Sequence, residues 1–167
     1  MSASLTIRPV TAADWSELRK AVVELQDYEH RLHTTRLPGE RIADAYLDWM
    51  PGQSESNGAV LVAERDGNFV GFVAGWIETT ENVAEAPESN RFGYISDICV
   101  LSAFRGQRIA SRLLASIEQY LQRAGAVRLR INALALNTSA RTSYQHAGFA
   151  PYEILYEKLV GAQTDIG

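Results

Sequence analysis

A change of rhythm near residue 92 limits the architectures open to this chain of 167 residues. Upstream of it, strand-like runs are separated by turn residues: Ala59–Glu64, then Asp66-Gly67 as a hairpin turn, then Phe69–Glu78. Downstream, strand and helix alternate. Phe92–Leu101 reads as a strand. Ile109, Leu113, Ile117, Tyr120 and Leu121 then recur on one face of a helix running from Gly106 to Ala124, which Gly125 ends, and Val127–Leu134 is a strand again. A strand–helix–strand unit returns the chain to the edge it left, so its two strands lie parallel. Joined to the upstream hairpin, it predicts one mixed antiparallel and parallel sheet flanked by helices, an α/β (α+β mixed) fold.

The flanking segments fit that plan. Leu5–Val10 predicts an opening strand, and Thr11 with Asp14 forms a capping signal ahead of a helix carrying Trp15, Leu18, Val22 and Leu25 to about His33. Pro38 to Met50 predicts a second helix that Pro51-Gly52 ends. Thr79–Arg91 is polar, carries Glu81, Glu85 and Glu88, and reads as a surface loop. Thr138–Ala147 is the last predicted helix, and Phe149–Leu159 supplies one or two final strands, giving the order β-α-α-β-β-β-α-β-α-β. No repeat or linker-like tract divides the sequence, so residues 1–167 are expected to form a single domain.

Several classes of protein are disfavoured at once. The longest strongly apolar run, Val70 to Ile77, spans 8 residues and includes two glycines, whereas a membrane helix needs about 20. The N-terminal residues lack the basic-then-apolar order of a secretory signal, so a cytoplasmic location is expected. Cys99 is the single cysteine, which leaves no internal disulfide and no cysteine-rich zinc site. The net charge of −4 conceals a split: residues 1–104 hold 8 basic and 16 acidic side chains, residues 105–167 hold 8 and 4. An acidic front and a basic back suggest that one end of the molecule handles an anion.

The basic half opens on Phe104-Arg105-Gly106-Gln107-Arg108-Ile109-Ala110-Ser111, between a strand and a long helix. A helix start leaves backbone N–H groups without partners and carries partial positive charge, so it suits a phosphate, and the arginines add full charges. The segment lacks the Gly-Lys-Ser/Thr ending of a nucleoside-triphosphate loop and the G-x-G-x-x-G of a dinucleotide site. Read alone, it is a pyrophosphate cradle or simply a tight strand-to-helix turn with solvated arginines. Further along, Asn137-Thr-Ser-Ala140-Arg-Thr-Ser-Tyr144-Gln-His-Ala-Gly148-Phe149 reads N-x-x-A-x-x-x-Y-x-x-x-G-F.

These two segments in this order resemble the GNAT superfamily of acetyl-CoA-dependent N-acetyltransferases, most clearly over residues 92–150. The resemblance implies a sheet splayed between its fourth and fifth strands, with Arg105 to Ser111 holding the pyrophosphate. Main-chain groups around Ile98, Cys99 and Val100 would then bind the pantetheine arm, with an N–H near Val100 stabilising the oxyanion. Tyr144 matches the family's tyrosine that protonates the departing thiolate, and Asn137 matches a residue on the coenzyme arm; the alternatives are a packing tyrosine and a helix cap. The family pattern R-x-x-G-x-G/A is met at Arg105 and Ala110, but Arg108 stands where the middle glycine is usual.

Tyr94-Ile95-Ser96-Asp97-Ile98-Cys99-Val100 is similar to the Tyr-Leu-Glu-Asp-aromatic-aromatic-Val segment of diamine acetyltransferases, with Ser96 in place of the glutamate. Asp97 is therefore the first candidate to accept the amine's proton or hold its ammonium; otherwise it is an exposed strand carboxylate. Glu29 and Glu78 are further acceptor-site candidates. The implied reaction is direct transfer of acetyl from acetyl-CoA to a primary amine. The acidic half leans towards a cationic acceptor such as a polyamine, an aminoglycoside-like amine or a basic peptide. A homodimer is compatible with this reading. A non-catalytic acyl-CoA sensor and a nucleotide binder are the other readings. His30 and His33 lie at i,i+3 without a third ligand, so no metal is expected. Cys99 has no histidine near it in sequence to activate it as a nucleophile. Arg123, Arg128 and Arg130 lack interleaved aromatics, and with a pI of about 5.4 no nucleic acid partner is expected.

Overall fold

The computed structural model describes residues 4–161. Five strands, β1 (Leu5–Pro9), β2 (Gly58–Arg65), β3 (Asn68–Thr79), β4 (Arg91–Val100) and β5 (Leu129–Ile131), form one sheet in sequence order. β1 to β4 pair antiparallel, and β5 lies parallel to β4, as the strand–helix–strand unit requires. Helices α1 (Trp15–Leu32) and α2 (Gly39–Ser54) cover one face, α3 (Ile109–Arg123) covers the other, and α4 (Thr138–His146) follows β5. The hairpin turn between β2 and β3 has positive φ at both Asp66 (50°) and Gly67 (79°), the backbone twist that a two-residue hairpin needs.

β3 explains the longest apolar run. It is the middle strand and is buried on both faces: Val73 and Ile77 pack with Leu113, Ile117 and Leu121 of α3, while Phe72 and Ala74 pack with Leu18 and Val22 of α1 and Met50 of α2. β4 carries an irregularity that matters more for function. Its pairing with β3 skips Ser96, since Gly75 faces Ile95 and Ala74 faces Asp97. The extra residue reverses the alternation of side chains. Ile95 and, beyond the bulge, Ile98 and Val100 pack on the α3 side, so Asp97 and Cys99 are turned towards α1 and α2.

Four expectations are corrected. Pro51-Gly52 does not end α2, which runs one turn further to Ser54; the Ser54 hydroxyl donates to the carbonyls of Met50 (3.4 Å) and Pro51 (3.0 Å) and so serves the last turn. α3 starts at Ile109 rather than Gly106, because Gly106 (φ 76°) and Arg108 (φ 59°) are both left-handed and cannot be helical. β5 is shorter than Val127–Leu134, with Val127 exposed. Phe149–Leu159 forms no strand: Pro151 lacks the N–H a ladder needs, and three-residue β5 offers little edge to pair with. Among the described residues no helix is long and apolar enough to cross a membrane.

Candidate active site

β4 and β5 pair only at Gly93, Tyr94 and Ile95, opposite Leu129, Arg130 and Ile131. Beyond Ile95 the two strands separate, and a cavity of about 380 Å³ opens in the split. The alternation of β4 decides which main-chain groups face it. Leu101 N–H donates to Val70 of β3 (3.0 Å), whereas the carbonyl of Val100 accepts from Arg105 Nε (3.0 Å) on the other side. Val100, and by the period of two Ile98, therefore aim their backbone groups into the split, while Cys99 aims its own at Phe72 of β3.

The other walls come from the segments singled out in the sequence. Arg105, Gly106, Arg108, Ile109, Ala110 and Ser111 line the cavity where α3 begins. No side chain caps this helix at Arg108, so its first N–H groups are left for a ligand or solvent. Arg105 is held across the edge of the split, bonded to Val100 O and to Glu24 Oε1 (3.1 Å). Gln107 is outside the lining and accepts a hydrogen bond from Arg65 instead. From α4 come Tyr144, whose ring packs edge-on against Phe149 at 6.2 Å, and Asn137. Asn137 is buried and caps α4, its Oδ1 accepting from Ala140 N–H at 3.1 Å, while its side of the helix start also lines the cavity.

At the opposite end from the arginines, Glu29 of α1 and Asp97 of β4 line the same cavity. Asp97 accepts a hydrogen bond from the Tyr46 hydroxyl (2.8 Å) and another from Ser96. Burial pushes the Asp97 carboxyl above the usual aspartate range, against the pull of those two hydroxyls and of Arg36. Burial raises Glu29 as well, opposed by Arg36 at 3.3 Å and reinforced by Asp97. Tyr144 is raised by burial and by the nearby Glu29, Asp97 and Tyr94, so its phenol stays protonated at neutral pH. The Cys99 thiol is pushed up to about 12 by burial and by Glu24, which keeps it un-ionised. Glu78 is not in the lining; it accepts from the Trp76 indole N–H at 2.8 Å. His30 and His33 use Nδ1 in local bonds to the Arg36 carbonyl and to Thr35 Oγ1.

Two parts of this wall were not anticipated from the sequence. Tyr28, Asn132 and Ser143 line the cavity, and Tyr46 supplies the bond that holds Asp97. The spacing of Ile42, Tyr46 and Trp49 at i, i+4 and i+7 along α2 is the signal that would have marked an aromatic face there.

The arrangement joins an uncapped helix start, an open strand edge, a neutral phenol and a carboxyl raised by burial around one cavity. The model of the Acetyltransferase (GNAT) family matches residues 20–149. The chain is 24% identical over 157 residues to a mouse thialysine N-epsilon-acetyltransferase, covering 87% of this chain and 84% of that protein. Its fold is like that of an aminoglycoside N-acetyltransferase solved with CoA, at TM-score 0.69 and 20% identity over 95% of this chain and 97% of that one. It is also like a ribosomal-protein-alanine N-acetyltransferase from Brucella melitensis biovar Abortus 2308, at TM-score 0.66 and 23% identity over 93% and 100%. With the family match covering most of its length, the chain belongs to the GNAT acetyltransferase family and is an acetyl-CoA-dependent N-acetyltransferase, moving an acetyl group to an amine.

Proposed function

We propose that the protein acetylates an acceptor whose reacting nitrogen arrives as an ammonium group, with Asp97 as the base and Tyr144 as the acid. One observation carries this reading: a single cavity has arginines and the uncapped start of α3 at one end and two carboxyls with raised pKa at the other. The residues present fit the coenzyme. The α3 start, with Arg105 and Arg108, suits the pyrophosphate, and the outward-facing groups of Ile98 and Val100 suit the amides of the pantetheine arm. Acetyl-CoA supplies the thioester carbonyl; the rest of the chemistry belongs to the chain.

Asp97 takes a proton from the ammonium, which frees the nitrogen lone pair. A carboxyl whose pKa lies above the usual range is the better acceptor for that proton. The N–C bond then forms as the C–S bond breaks. In this reading Val100 N–H donates to the carbonyl oxygen, and Tyr144 gives its proton to the leaving sulfur. The second proton leaving the nitrogen restores the phenol, so the net products are amide, thiol and one released proton. Glu29 adds negative charge beside Asp97 and holds Arg36 in place.

The described tail, residues 150–161, suggests a further partner. Tyr152, Ile154, Leu155, Tyr156, Leu159 and Val160 are all exposed, and β5 is the last strand of the sheet among the described residues. Six large apolar side chains in one segment and an unpaired strand edge are covered together if two copies exchange tails, and a homodimer is the assembly that does this. A cytoplasmic setting fits the whole reading. The test is an acceptor screen with acetyl-CoA, read by mass spectrometry. An acetylated amine whose formation falls when Asp97 is changed to Asn supports the assignment, and undiminished transfer by that variant refutes it.

A further inference from the structure

Two hydroxyls meet the Asp97 carboxyl, and both meet the same oxygen. The Tyr46 hydroxyl of α2 donates to Oδ2 at 2.8 Å, and the hydroxyl of Ser96, the bulge residue of β4, donates to Oδ2 as well. Oδ1 takes no hydrogen bond from any described residue. Nor is it sealed off, since Arg65 Nε is the one fully buried polar side-chain atom without a partner among the described residues. Ser96 and Asp97 both line the cavity, so Oδ1 is the oxygen that remains for a ligand. A carboxyl free to turn about its last bond would exchange its two oxygens; two donors converging on Oδ2 stop that turn.

Tyr46 reaches Asp97 from a distant element and is held there. Its ring stands 5.2 Å from that of Trp49 on the same helix. Trp49 meets Trp76 of β3 edge-on at 5.4 Å, and Trp76 meets Tyr94 of β4 at 5.8 Å. The Trp76 indole is fixed in turn by its bond to Glu78 at 2.8 Å. This chain of rings ties α2 to the strand that carries Asp97, which leaves the phenol little freedom to swing off Oδ2. Tyr46 itself is outside the cavity lining, so it meets the chemistry through Asp97.

We infer that Tyr46 is a positioning residue for the base: by anchoring Oδ2 it keeps Oδ1 turned to the reacting nitrogen, and Oδ1 is the atom that receives the proton. This deepens the reading of Asp97 as the base and rests on it. An N–H bond of the ammonium breaks as an O–H bond forms at Oδ1, and the electron pair stays on nitrogen. Oδ2 accepts from both hydroxyls before and after the transfer. Burial and the Asp97 charge raise the Tyr46 phenol, so it remains a donor throughout. The other titratable or charged groups around Asp97 are Glu29 of α1, Arg36 between α1 and α2, Tyr94 and Cys99 of β4, and Tyr144 of α4. None of these hydrogen-bonds to it, so Tyr46→Phe removes one hydroxyl from its contacts and leaves that field in place.

Carbon-13 carboxyl shifts read the first consequence without any acceptor, with the Asp97 signal assigned by its loss in Asp97→Asn. In Tyr46→Phe the Asp97 titration should move to higher pH, because a donor to the ionised form is gone. Ser96→Ala, which leaves α2 untouched, should move it the same way. Thiol release with acetyl-CoA and the amine returned by the acceptor screen reads the second consequence. On the plateau above the acid limb, kcat of Tyr46→Phe should fall about tenfold, the scale of one hydrogen bond to a charged group, with KM little changed. In the Asp97→Asn background the same substitution should cost nothing more, since Tyr46 acts through that carboxylate. A titration that stays in place overturns the inference, as does a plateau kcat at the wild-type value or an equal further loss on top of Asp97→Asn. Undiminished transfer by Asp97→Asn alone overturns the underlying reading instead, which keeps the two failures distinct.

Discussion

Asp14 and Asp97 are both drawn away from bulk water, and their surroundings push them in opposite directions. Asp14 sits between β1 and α1 with the Arg8 guanidinium across both its oxygens, at 2.7 and 2.8 Å, and with Thr11 N–H at 2.7 Å. Arg8, with Thr11 assisting, holds the Asp14 carboxyl well below the usual aspartate range. Asp97 lies at the cavity wall with two hydroxyls for partners and, among the described residues, no cation in contact, and burial raises it. A charge given its counter-charge is spent on structure; one left short of it is available to exchange a proton.

The sharpest break of this comparison is Asp97→Asn. Removing a positioned base should lower kcat/KM on the order of 10³-fold with coenzyme binding retained. The acid limb of the pH–rate profile should stand above the ordinary aspartate value in the wild type and vanish in the variant. Stability should move the other way. The native state holds the Asp97 proton more tightly than the unfolded chain, so folding loses free energy as pH rises through the interval between the ordinary and the raised value. The asparagine has no charge to bury, so its melting temperature at neutral pH should equal or exceed that of the wild type. A marked drop in melting temperature would make Asp97 a structural residue like Asp14.

Tyr144→Phe comes next. Its phenol is neutral at the working pH and lines the same cavity, so losing the proton donor should slow transfer on the order of 10²-fold at unchanged coenzyme affinity. Phe keeps the edge-on packing against Phe149, which isolates the hydroxyl. An unchanged rate measured with a saturating amine would remove Tyr144 from the mechanism.

Asp14→Asn tests the structural side. It leaves Arg8 with Glu64 at 2.6 Å but removes the bidentate partner and one side of the Thr11 cap. Because Arg8 is partly exposed, the loss should be about 1–2 kcal/mol, below the range for fully buried pairs. The effect has a pH signature: the stabilisation is present above the ordinary aspartate pKa and fades as pH falls through the lowered native value. Denaturant titrations of both proteins should therefore converge in strong acid, with kcat/KM at neutral pH the same for both. A rate loss in Asp14→Asn would erase the distinction between the two aspartates.

The sequence revealed the parts of the site that are local and withheld those that depend on pairing between distant segments. The helix start at Arg105 to Ser111 and the α4 motif at Asn137 and Tyr144 each lie within a few residues, so their residue types alone signal them. The contact between Tyr46 and Asp97 joins residues 51 apart, and it depends on a bulge at Ser96 that turns Asp97 from the α3 side to the α2 side. No periodicity in β4 announces that reversal. Phe149–Leu159 shows the converse: a strand-like composition identifies a segment able to pair, but an available edge decides whether it does.

The smallest expected effect concerns Arg108, where the family pattern departs in this chain. Its φ of 59° is left-handed, a conformation that glycine adopts freely and that strains a side-chain-bearing residue by roughly 1–2 kcal/mol. Glycine there would relieve the strain but also leave a looser unfolded chain, an opposing term of about 0.5–1 kcal/mol. Arg108→Gly should therefore stabilise the protein by at most about 1.5 kcal/mol. The same substitution removes one of the two arginines lining the cradle end of the cavity. If the arginine is kept for its charge, the glycine variant should bind CoA more weakly, by a factor that shrinks as salt is raised, even as its melting temperature rises. If binding is unchanged at low salt, the main-chain N–H groups of the α3 start hold the pyrophosphate without it, and Arg108 belongs with the strained surface rather than with the site.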